Sequence, residues 1–252
     1  MSKFSILLIF LAVINPMNLL AQQVNREGIL DYEKEFIGGV NFNTNGGFLG
    51  GFMFRYTRMD VHHEKMLHNF GLELGIVKHP KEVRLGNSAT GGTFVAYKTN
   101  HLIVWRPHYG REFLIFRKGN EDGVQMDWLI NAGPSFAMLV PYMVEYDYGT
   151  QTKLEQYNPD IHKNLSNIIN NGGFMSGLGG SKFVPGIHLK TGFSFEYSHF
   201  DTNVTGIEVG VLVEAFSKPI EMLRKETTSP GSFKDYQTFA SIYVNIFYGG
   251  RK

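Results

Sequence analysis

The chain has 252 residues, of which 24 are Lys or Arg and 23 are Asp or Glu, and this balance gives no electrostatic basis for binding nucleic acid. It has no cysteine, which excludes disulfide scaffolds, cysteine-ligated zinc, iron–sulfur clusters and thiol nucleophiles. The 29 glycines and the 14% of aromatic residues, with only 19% charged, are typical of many twisted strands rather than of a helical domain.

The first residues are typical of an export signal. Lys3 provides a short positive region, residues 6–14 form an apolar run, and Ala21 is a small residue suited to the position before a cleavage site. The apolar run is far shorter than the roughly 20 residues of a membrane-spanning helix. We therefore predict three regions: a signal peptide at residues 1–21, an N-terminal periplasmic segment at 22–33, and one domain at 34–252.

Apolar and polar residues alternate with a period of two along almost the whole mature chain, which predicts β-strands. The alternation is clearest in residues 185–197, where Ile187 and Leu189 point to one side and His188 and Lys190 to the other. We predict ten strands, at residues 34–43, 48–57, 69–77, 94–107, 111–117, 124–131, 136–147, 185–197, 206–216 and 239–248.

The polar faces of these strands favour a closed barrel over a soluble β-sandwich. A sandwich exposes its polar face to bulk water, whereas these faces mix Gly, Ser and Asn with isolated charges, as expected around a crowded polar interior. Aromatic residues such as Tyr197 and Tyr248 cluster towards strand ends, like the interfacial girdles of outer-membrane barrels. We predict an all-β fold, an antiparallel transmembrane β-barrel of about ten strands, within a range of eight to twelve.

Connection lengths agree with this assignment. With ten strands, the three longest connections, at residues 79–93, 148–184 and 218–235, all fall on the end opposite to the chain termini, as in outer-membrane barrels. Within the longest one, Asn158-Pro159 is typical of a helix start, and Asn170 to Gly173 of a helix end. The apolar residues between them repeat at helical spacing, so we predict a short helix in this loop: Ile161, Leu165, Ile168 and Ile169.

Residues that could carry chemistry form only weak patterns. Ser198, His199 and Asp201 lie close together, but neighbours in a tight turn cannot form the in-line hydrogen bonds of a catalytic triad. We predict no catalytic residue, no metal ligand and no cofactor. An outer-membrane hydrolase acting on lipid at the barrel rim stays open as an alternative, and it would need a His near a Ser or a carboxylate on neighbouring strands.

The charges on the polar faces are the most informative feature. If the apolar faces meet lipid, these side chains project into a lumen that small barrels just fill with side chains, so unpaired charges there would be costly. We predict a network of ion pairs that closes the lumen, with a proton or solute path as the alternative. The predicted network consists of Arg55, Glu73, Arg106, Asp127, His188, Lys190, Glu196, Glu208 and Glu214.

The hairpin formed by strands 185–197 and 206–216 allows the pairing to be predicted residue by residue. A turn near residues 200–202 places Lys190 opposite Leu212 and Glu196 opposite Gly206. Lys190 then lies near Glu214, and Glu196 lies near Glu208. Glu208 and Glu214 are the expected partners of Lys190 and His188, and the two neighbouring carboxylates Glu196 and Glu208 need Arg55, Arg106 or a shared proton.

Four stretches of the chain carry a resemblance to a known group. They are GGVNFNTNGGFLGGFMFRYTRM, YGREFLIFRK, GVQMDWLINAGPS and GLGGSKFVPGIHLKTGFSFEY. Together they resemble uncharacterised outer-membrane β-barrel proteins of Bacteroidota, a group that includes the small PorT-like barrels accompanying type IX secretion. The resemblance covers most of residues 30–250 and contains no motif tied to an activity.

The resemblance implies the outer membrane of a Gram-negative bacterium as the location and lipid as the main partner, with envelope or secretion proteins as further partners. We therefore expect a non-enzymatic barrel with a filled lumen that serves envelope structure or assembly, as an accessory to type IX secretion. A lipid hydrolase at the rim and a narrow transport pore are the alternatives.

Overall fold

The computed structural model describes residues 33–60, 63–116, 124–197, 203–225, 233 and 235–252, and of residues 63–65 it describes the backbone alone. The predicted signal peptide lies outside these residues, as does the predicted periplasmic segment except for residue 33. The strands are β1 (Lys34–Asn43), β2 (Gly47–Asp60), β3 (His63–Val77), β4 (Arg84–Gly86), β5 (Thr93–Val95), β6 (Asn100–Phe116), β7 (Gln125–Pro141), β8 (Met143–Asp147), β9 (Thr152–Gln156), β10 (Ile168–Asn171), β11 (Lys182–Glu196), β12 (Asn203–Ile220) and β13 (Tyr236–Arg251).

Eight strands of the described chain close into an antiparallel barrel in the order β1-β2-β3-β6-β7-β11-β12-β13, with β13 paired back to β1. The paired residues can be followed from strand to strand once around the barrel, from Arg251 of β13 through Glu35 and Lys190. This path returns to β13 at Ser241, so the strands are staggered by ten residues over one turn of the barrel. This stagger requires strongly tilted strands, and an eight-stranded barrel has an interior that side chains just fill.

The prediction of ten strands is wrong, because four of the predicted strands are halves of two long ones. Residues 100–107 and 111–116 of the predicted strands 94–107 and 111–117 belong to β6, and the predicted strands 124–131 and 136–147 belong to β7 and its short continuation β8. The expected turns at 108–110 and 134–135 are interior positions of β6 and β7.

Two prolines explain how these strands continue through apparent turns. Pro107 and Pro134 occupy facing positions of β6 and β7, between the pairs Trp105–Phe136 and Tyr109–Ala132. Proline cannot donate to a strand ladder. Each proline is paired with a residue of the neighbouring strand on its other side, Pro107 with Leu72 of β3 and Pro134 with Ile187 of β11. This pairing holds each proline within its strand.

The connections differ in length between the two ends of the barrel. At the end where β1 begins and β13 ends, hereafter the terminal end, residues 61–62, 117–124 and 197–202 join successive strands. At the opposite end, hereafter the loop end, the connections are longer except for the first, and they comprise residues 44–46, 78–99, 142–181 and 221–235.

The long connections at the loop end fold into a layer of their own, hereafter the loop layer. It contains the hairpin β4–β5 and the three-stranded sheet β10-β8-β9. A buried apolar cluster holds its parts together, and it consists of Phe94, Tyr142, Val144, Tyr146, Tyr157 and Ile168.

The single helix predicted between Asn158 and Gly173 is wrong, and the loop contains two short 3₁₀-helices instead, at Leu165–Asn167 and Met175–Gly180. Asn158 starts a single turn, in which its carbonyl accepts hydrogen bonds from the backbone N–H groups of Ile161 and His162. The segment then forms a 3₁₀-helix at Leu165–Asn167 and the strand β10, in which Ile168 pairs with Tyr146 of β8. Burial of Ile168 in the loop-layer cluster outweighs the local helical pattern. The described part of the chain contains no helix that is both long and apolar enough to span a membrane.

Candidate functional site

The lumen is the candidate site, because it collects most of the buried charge of the described residues. The nine predicted network residues lie on the inward-facing positions of six strands, and each residue is at most 5% exposed: Arg55, Glu73, Arg106, Asp127, His188, Lys190, Glu196, Glu208 and Glu214. Hydrogen bonds and ion pairs link eight of them, all except Asp127, into three groups along the barrel axis.

The group nearest the loop end is built on Arg106 and Glu214. The Arg106 Nε and Nη2 atoms donate to the two carboxylate oxygens of Glu214 at 2.9 and 2.8 Å. This bidentate geometry is the strongest form of an Arg–carboxylate contact. The Ser135 hydroxyl lies 3.0 Å from His188 Nδ1 and 3.5 Å from a Glu214 oxygen, so it links the histidine to the pair.

The central group is built on Lys190. Its ammonium donates to Glu73 and lies 2.9 Å from a Glu208 carboxylate oxygen. It also sits 4.3 Å from the centre of the Tyr243 ring, whose hydroxyl donates to Glu208 at 2.8 Å. The other Glu208 oxygen accepts a hydrogen bond from Arg55 Nη1 at 3.0 Å. Glu208 therefore joins Lys190, Tyr243 and Arg55.

The group at the terminal end is built on Arg251. Its guanidinium donates to Glu35 at 2.7 Å and to Glu196. Arg55 Nη2 lies 3.9 Å from Glu35, which connects this group with the central one. Asp127 accepts a hydrogen bond from Gln125 at 2.9 Å.

Inward-facing glycines make room for these side chains. A Cβ atom at Gly75 would lie 2.3 Å from Arg106 Nη1, and one at Gly192 would lie 2.5 Å from the Tyr243 hydroxyl. Large polar side chains on one strand therefore lie over glycines of another strand, which explains the mixture of glycine and charge on the polar faces.

The loop end of the lumen is closed by an apolar layer. Its members face inward beyond Arg106 and Glu214, and Ile220 at the end of β12 and Met222 from the following connection complete it. The layer consists of Val77, Leu102, Val104, Ala137, Leu139, Val184, Phe216, Ile220, Met222 and Phe239. Charged groups and apolar groups thus divide the interior into two zones, with the charges towards the terminal end.

The loop layer above holds a second set of ionisable groups. Lys98 Nζ lies 2.8 Å from Glu82, and burial lowers the pKa of Lys98 although the Glu82 carboxylate opposes this shift. The hydrogen bond from the Tyr148 hydroxyl lowers the pKa of Glu155, assisted by His162, and the same bond raises the pKa of Tyr148 to about 12.

Ser135, His188 and Glu214 bring together the three residue types of a hydrolase triad, but their geometry does not fit one. A triad needs the serine and the carboxylate on opposite ring nitrogens of the histidine. Here the serine contacts His188 Nδ1, Nε2 has no hydrogen-bond partner within the described part of the chain, and Arg106 holds the carboxylate. Ser198 and His199 lie outside the described residues.

The predicted pairing of the β11–β12 hairpin is confirmed, because Lys190 lies opposite Leu212 and Glu196 opposite Gly206. Glu208, one of the two candidate partners of Lys190 and His188, contacts Lys190, and Arg55 supplies the cation that Glu208 was expected to need. The prediction of Glu214 as a partner of Lys190 is wrong, because Glu214 pairs with Arg106.

Sequence reasoning missed several members of the lumen set. Glu35, Glu112 and Arg251 are inward-facing charges on β1, β6 and β13. The alternation of β1 predicts that Glu35 faces inward, because it precedes the inward-facing Ile37 by two residues. Glu112 was not included in the predicted network because the predicted turn at 108–110 divided its strand.

No protein-family model and no curated protein matches the chain. Among solved structures, Neisserial surface protein A is similar with a TM-score of 0.39 and 8% identity over 88% of this chain and 97% of that chain. Ail, the attachment invasion locus protein of Yersinia pestis, is similar with a TM-score of 0.37 and 11% identity over 88% of this chain and 99% of that chain. These values hold for two structures of Ail, one of which is a complex with the heparin analogue sucrose octasulfate. These likenesses concern the fold alone.

Proposed function

We propose that the protein is a non-enzymatic outer-membrane β-barrel with a closed lumen, which anchors the loop layer at the cell surface. One observation carries this proposal: the barrel has charged groups inside and apolar groups outside. A soluble barrel has the opposite distribution, whereas a transmembrane barrel combines an apolar outer band with a polar interior.

The outer surface of β11 illustrates the band. Its outward-facing side chains from Phe183 to Phe195, a span of twelve residues, are all apolar or aromatic and exposed except Thr191. That span corresponds to about 40 Å of strand, or roughly 30 Å of height at a tilt of about 40°. It is therefore long enough to cross the apolar band of an outer-membrane barrel, about 25 Å.

A polar group inside the band has its hydrogen bonds satisfied by the protein. Thr191 faces outward in the middle of β11, where its hydroxyl accepts a hydrogen bond from Trp128 Nε1 at 3.0 Å and donates to the Leu129 carbonyl at 2.9 Å. Lipid offers no hydrogen-bonding partner, so such internal pairing is what a lipid-facing hydroxyl requires.

Charged residues on the outer surface lie at the margins of the band. Arg58, His68 and Arg111 are neighbours in register on β2, β3 and β6, and Lys34 of β1 extends the row. The row lies towards the terminal end, next to Tyr109, whose hydroxyl is 2.7 Å from His68. Cationic and aromatic side chains suit the level of lipid head groups.

The closed interior supports an anchoring role over a transport role. Most of the lumen charges among the described residues are held in ion pairs, and the apolar layer lies between them and the loop layer. A transport pore would need a continuous polar path through this layer. An accessory role in type IX secretion is the finer proposal, supported by the sequence resemblance, and genes for secretion components beside this one would strengthen it.

The first prediction concerns location. Full-length protein expressed in a Gram-negative host should sediment with the outer membrane after density-gradient separation, and unboiled samples should migrate differently from boiled ones because the closed barrel resists detergent. Recovery of the folded protein in the soluble periplasmic fraction would contradict the proposal.

A further inference from the structure

Basic side chains on the outer surface are grouped on one side of the barrel near its terminal end. Five neighbouring strands each contribute one of them. Backbone hydrogen bonds pair Lys34 with Lys252, and the strand register continues the series from Lys34 to Arg111. Five residues form this group, hereafter the basic row: Lys252 directly after β13, Lys34 of β1, Arg58 of β2, His68 of β3 and Arg111 of β6.

The other three strands of the barrel carry no charge on the outer surface at this end, among the described residues. The basic row stops where Arg111 lies opposite Ile130 of β7. Residues that only fix the depth of a barrel in the membrane are expected on all its sides. The one-sided basic row therefore indicates binding of a discrete partner. The outward-facing residues on the opposite side are Met126, Trp128 and Ile130 of β7, Phe193 and Phe195 of β11, and Asn203 and Thr205 of β12.

A row of aromatic side chains lies directly beside the basic row, two residues or about 7 Å further along each strand towards the middle of the barrel. Its members are neighbours in register on the same outer surface, hereafter the aromatic row: Phe36, Tyr56, Phe70 and Tyr109. The Phe70 ring centre lies 6.5 Å from that of Tyr56 and 5.0 Å from that of Tyr109. The two rows together combine a basic strip with an apolar strip, which matches a molecule that has an anionic head and an apolar tail.

The part of the basic row on β1 and β2 is available to an anion. Asp60 lies 3.4 Å from His68 Nε2 and 3.6 Å from Arg111 Nη1, so its carboxylate offsets charge at the β6 end of the row. Lys34 and Arg58 are exposed, and neither forms an ion pair within the described part of the chain. They lie opposite each other on strands about 4.8 Å apart, so both can contact one phosphate. The planar guanidinium of arginine suits phosphate oxygens.

We propose that the basic row and the aromatic row bind an anionic phospholipid, with its phosphate at Lys34 and Arg58 and its acyl chains over Phe36 and Tyr56. The proposal rests on the proposed function, an outer-membrane barrel whose terminal end faces the periplasm, where the leaflet consists of phospholipid. A phosphatidylcholine head group also carries a cation, which the basic row would repel. The site therefore favours a head group with a net negative charge, such as that of phosphatidylglycerol.

The test is native mass spectrometry of the full-length protein folded in zwitterionic detergent with equal amounts of phosphatidylglycerol and phosphatidylcholine that have the same acyl chains. The parent protein should retain phosphatidylglycerol in preference to phosphatidylcholine. The double variant Lys34→Gln/Arg58→Gln should lower the ratio of the two retained lipids by at least about fivefold, the effect of one cation near an anionic membrane surface (about 1 kcal/mol).

Two further variants separate the site from net charge and from folding. Lys81→Gln/Lys182→Gln removes two exposed lysines at the loop end, and this control should keep the lipid ratio of the parent. Lys34→Arg/Arg58→Lys keeps both charges of the site and should also keep the preference.

The proposal is overturned if the parent retains both lipids equally, or if the control variant loses the preference as far as Lys34→Gln/Arg58→Gln does. Heat-modifiable migration of the same samples distinguishes this failure from that of the proposed function. A folded barrel without lipid preference overturns the lipid site alone, whereas a protein that does not fold in detergent or lipid contradicts both.

Discussion

Replacement of Lys190 by Ala should lower the free energy of unfolding of the barrel by about 3–5 kcal/mol, the typical cost of removing one partner from a buried ion pair. Lys190 is 2% exposed and contacts both Glu73 and Glu208. Arg55 would still contact Glu208 in the variant, but Glu73 would lose the cation it contacts. The change can be measured as a shift of the denaturant midpoint for protein folded in phospholipid vesicles.

Two further variants separate the buried charge from general effects of the substitution. Lys182→Ala removes an exposed lysine from the loop end of the same strand and should change stability by no more than about 0.5 kcal/mol. Adding Glu73→Gln to Lys190→Ala should recover part of the loss, because it removes the carboxylate left without a counter-charge. A Lys190→Ala protein as stable as the parent would contradict the proposed network.

Replacement of Val211 by Lys should destabilise the protein by about 2–4 kcal/mol in a lipid bilayer, the cost of a lysine near the midplane on the lipid face of a barrel. Val211 faces outward in the middle of β12, and Val209 and Val213 flank it on the same face. In a water-soluble barrel the same exposed substitution would change stability by no more than about 0.5 kcal/mol. Equilibrium unfolding in vesicles measures the difference.

Thr205→Lys provides the matched control for position along the strand. Thr205 faces outward on β12 near its terminal end, where the side chain can reach the lipid head groups, and the cost there should be only about 0–1 kcal/mol. Equal effects at Val211 and Thr205 would contradict a lipid-facing band, because the cost in a bilayer depends on depth.

The alternation of apolar and polar side chains is enough to predict much of the fold of this chain. It is enough to place Lys190, Glu208 and Glu214 on inward-facing positions, because the period of a strand is two and each residue can face only one side. The pairing of β11 with β12 follows from the short connection between them, since a hairpin turn sets the register of its strands.

The strand count could not be obtained in the same way. Pro107, Gly110 and Pro134 have the local properties of turn residues, and only pairing with distant strands keeps them within β6 and β7. Ile168 likewise has helical spacing in the sequence but pairs with Tyr146 in the loop layer. Partners across the lumen, such as Arg106 for Glu214, depend on barrel size and stagger, which local patterns do not contain.

Conductance across a planar bilayer tests the closed lumen most directly. The purified parent protein should insert without steady conductance, because ion pairs around Lys190 and Arg106 fill the lumen and the apolar layer around Phe216 closes its loop end. Heat-modifiable migration of the same preparation would verify that the barrel is folded. A stable open channel formed by the unmodified protein would contradict the closed lumen and favour the transport pore.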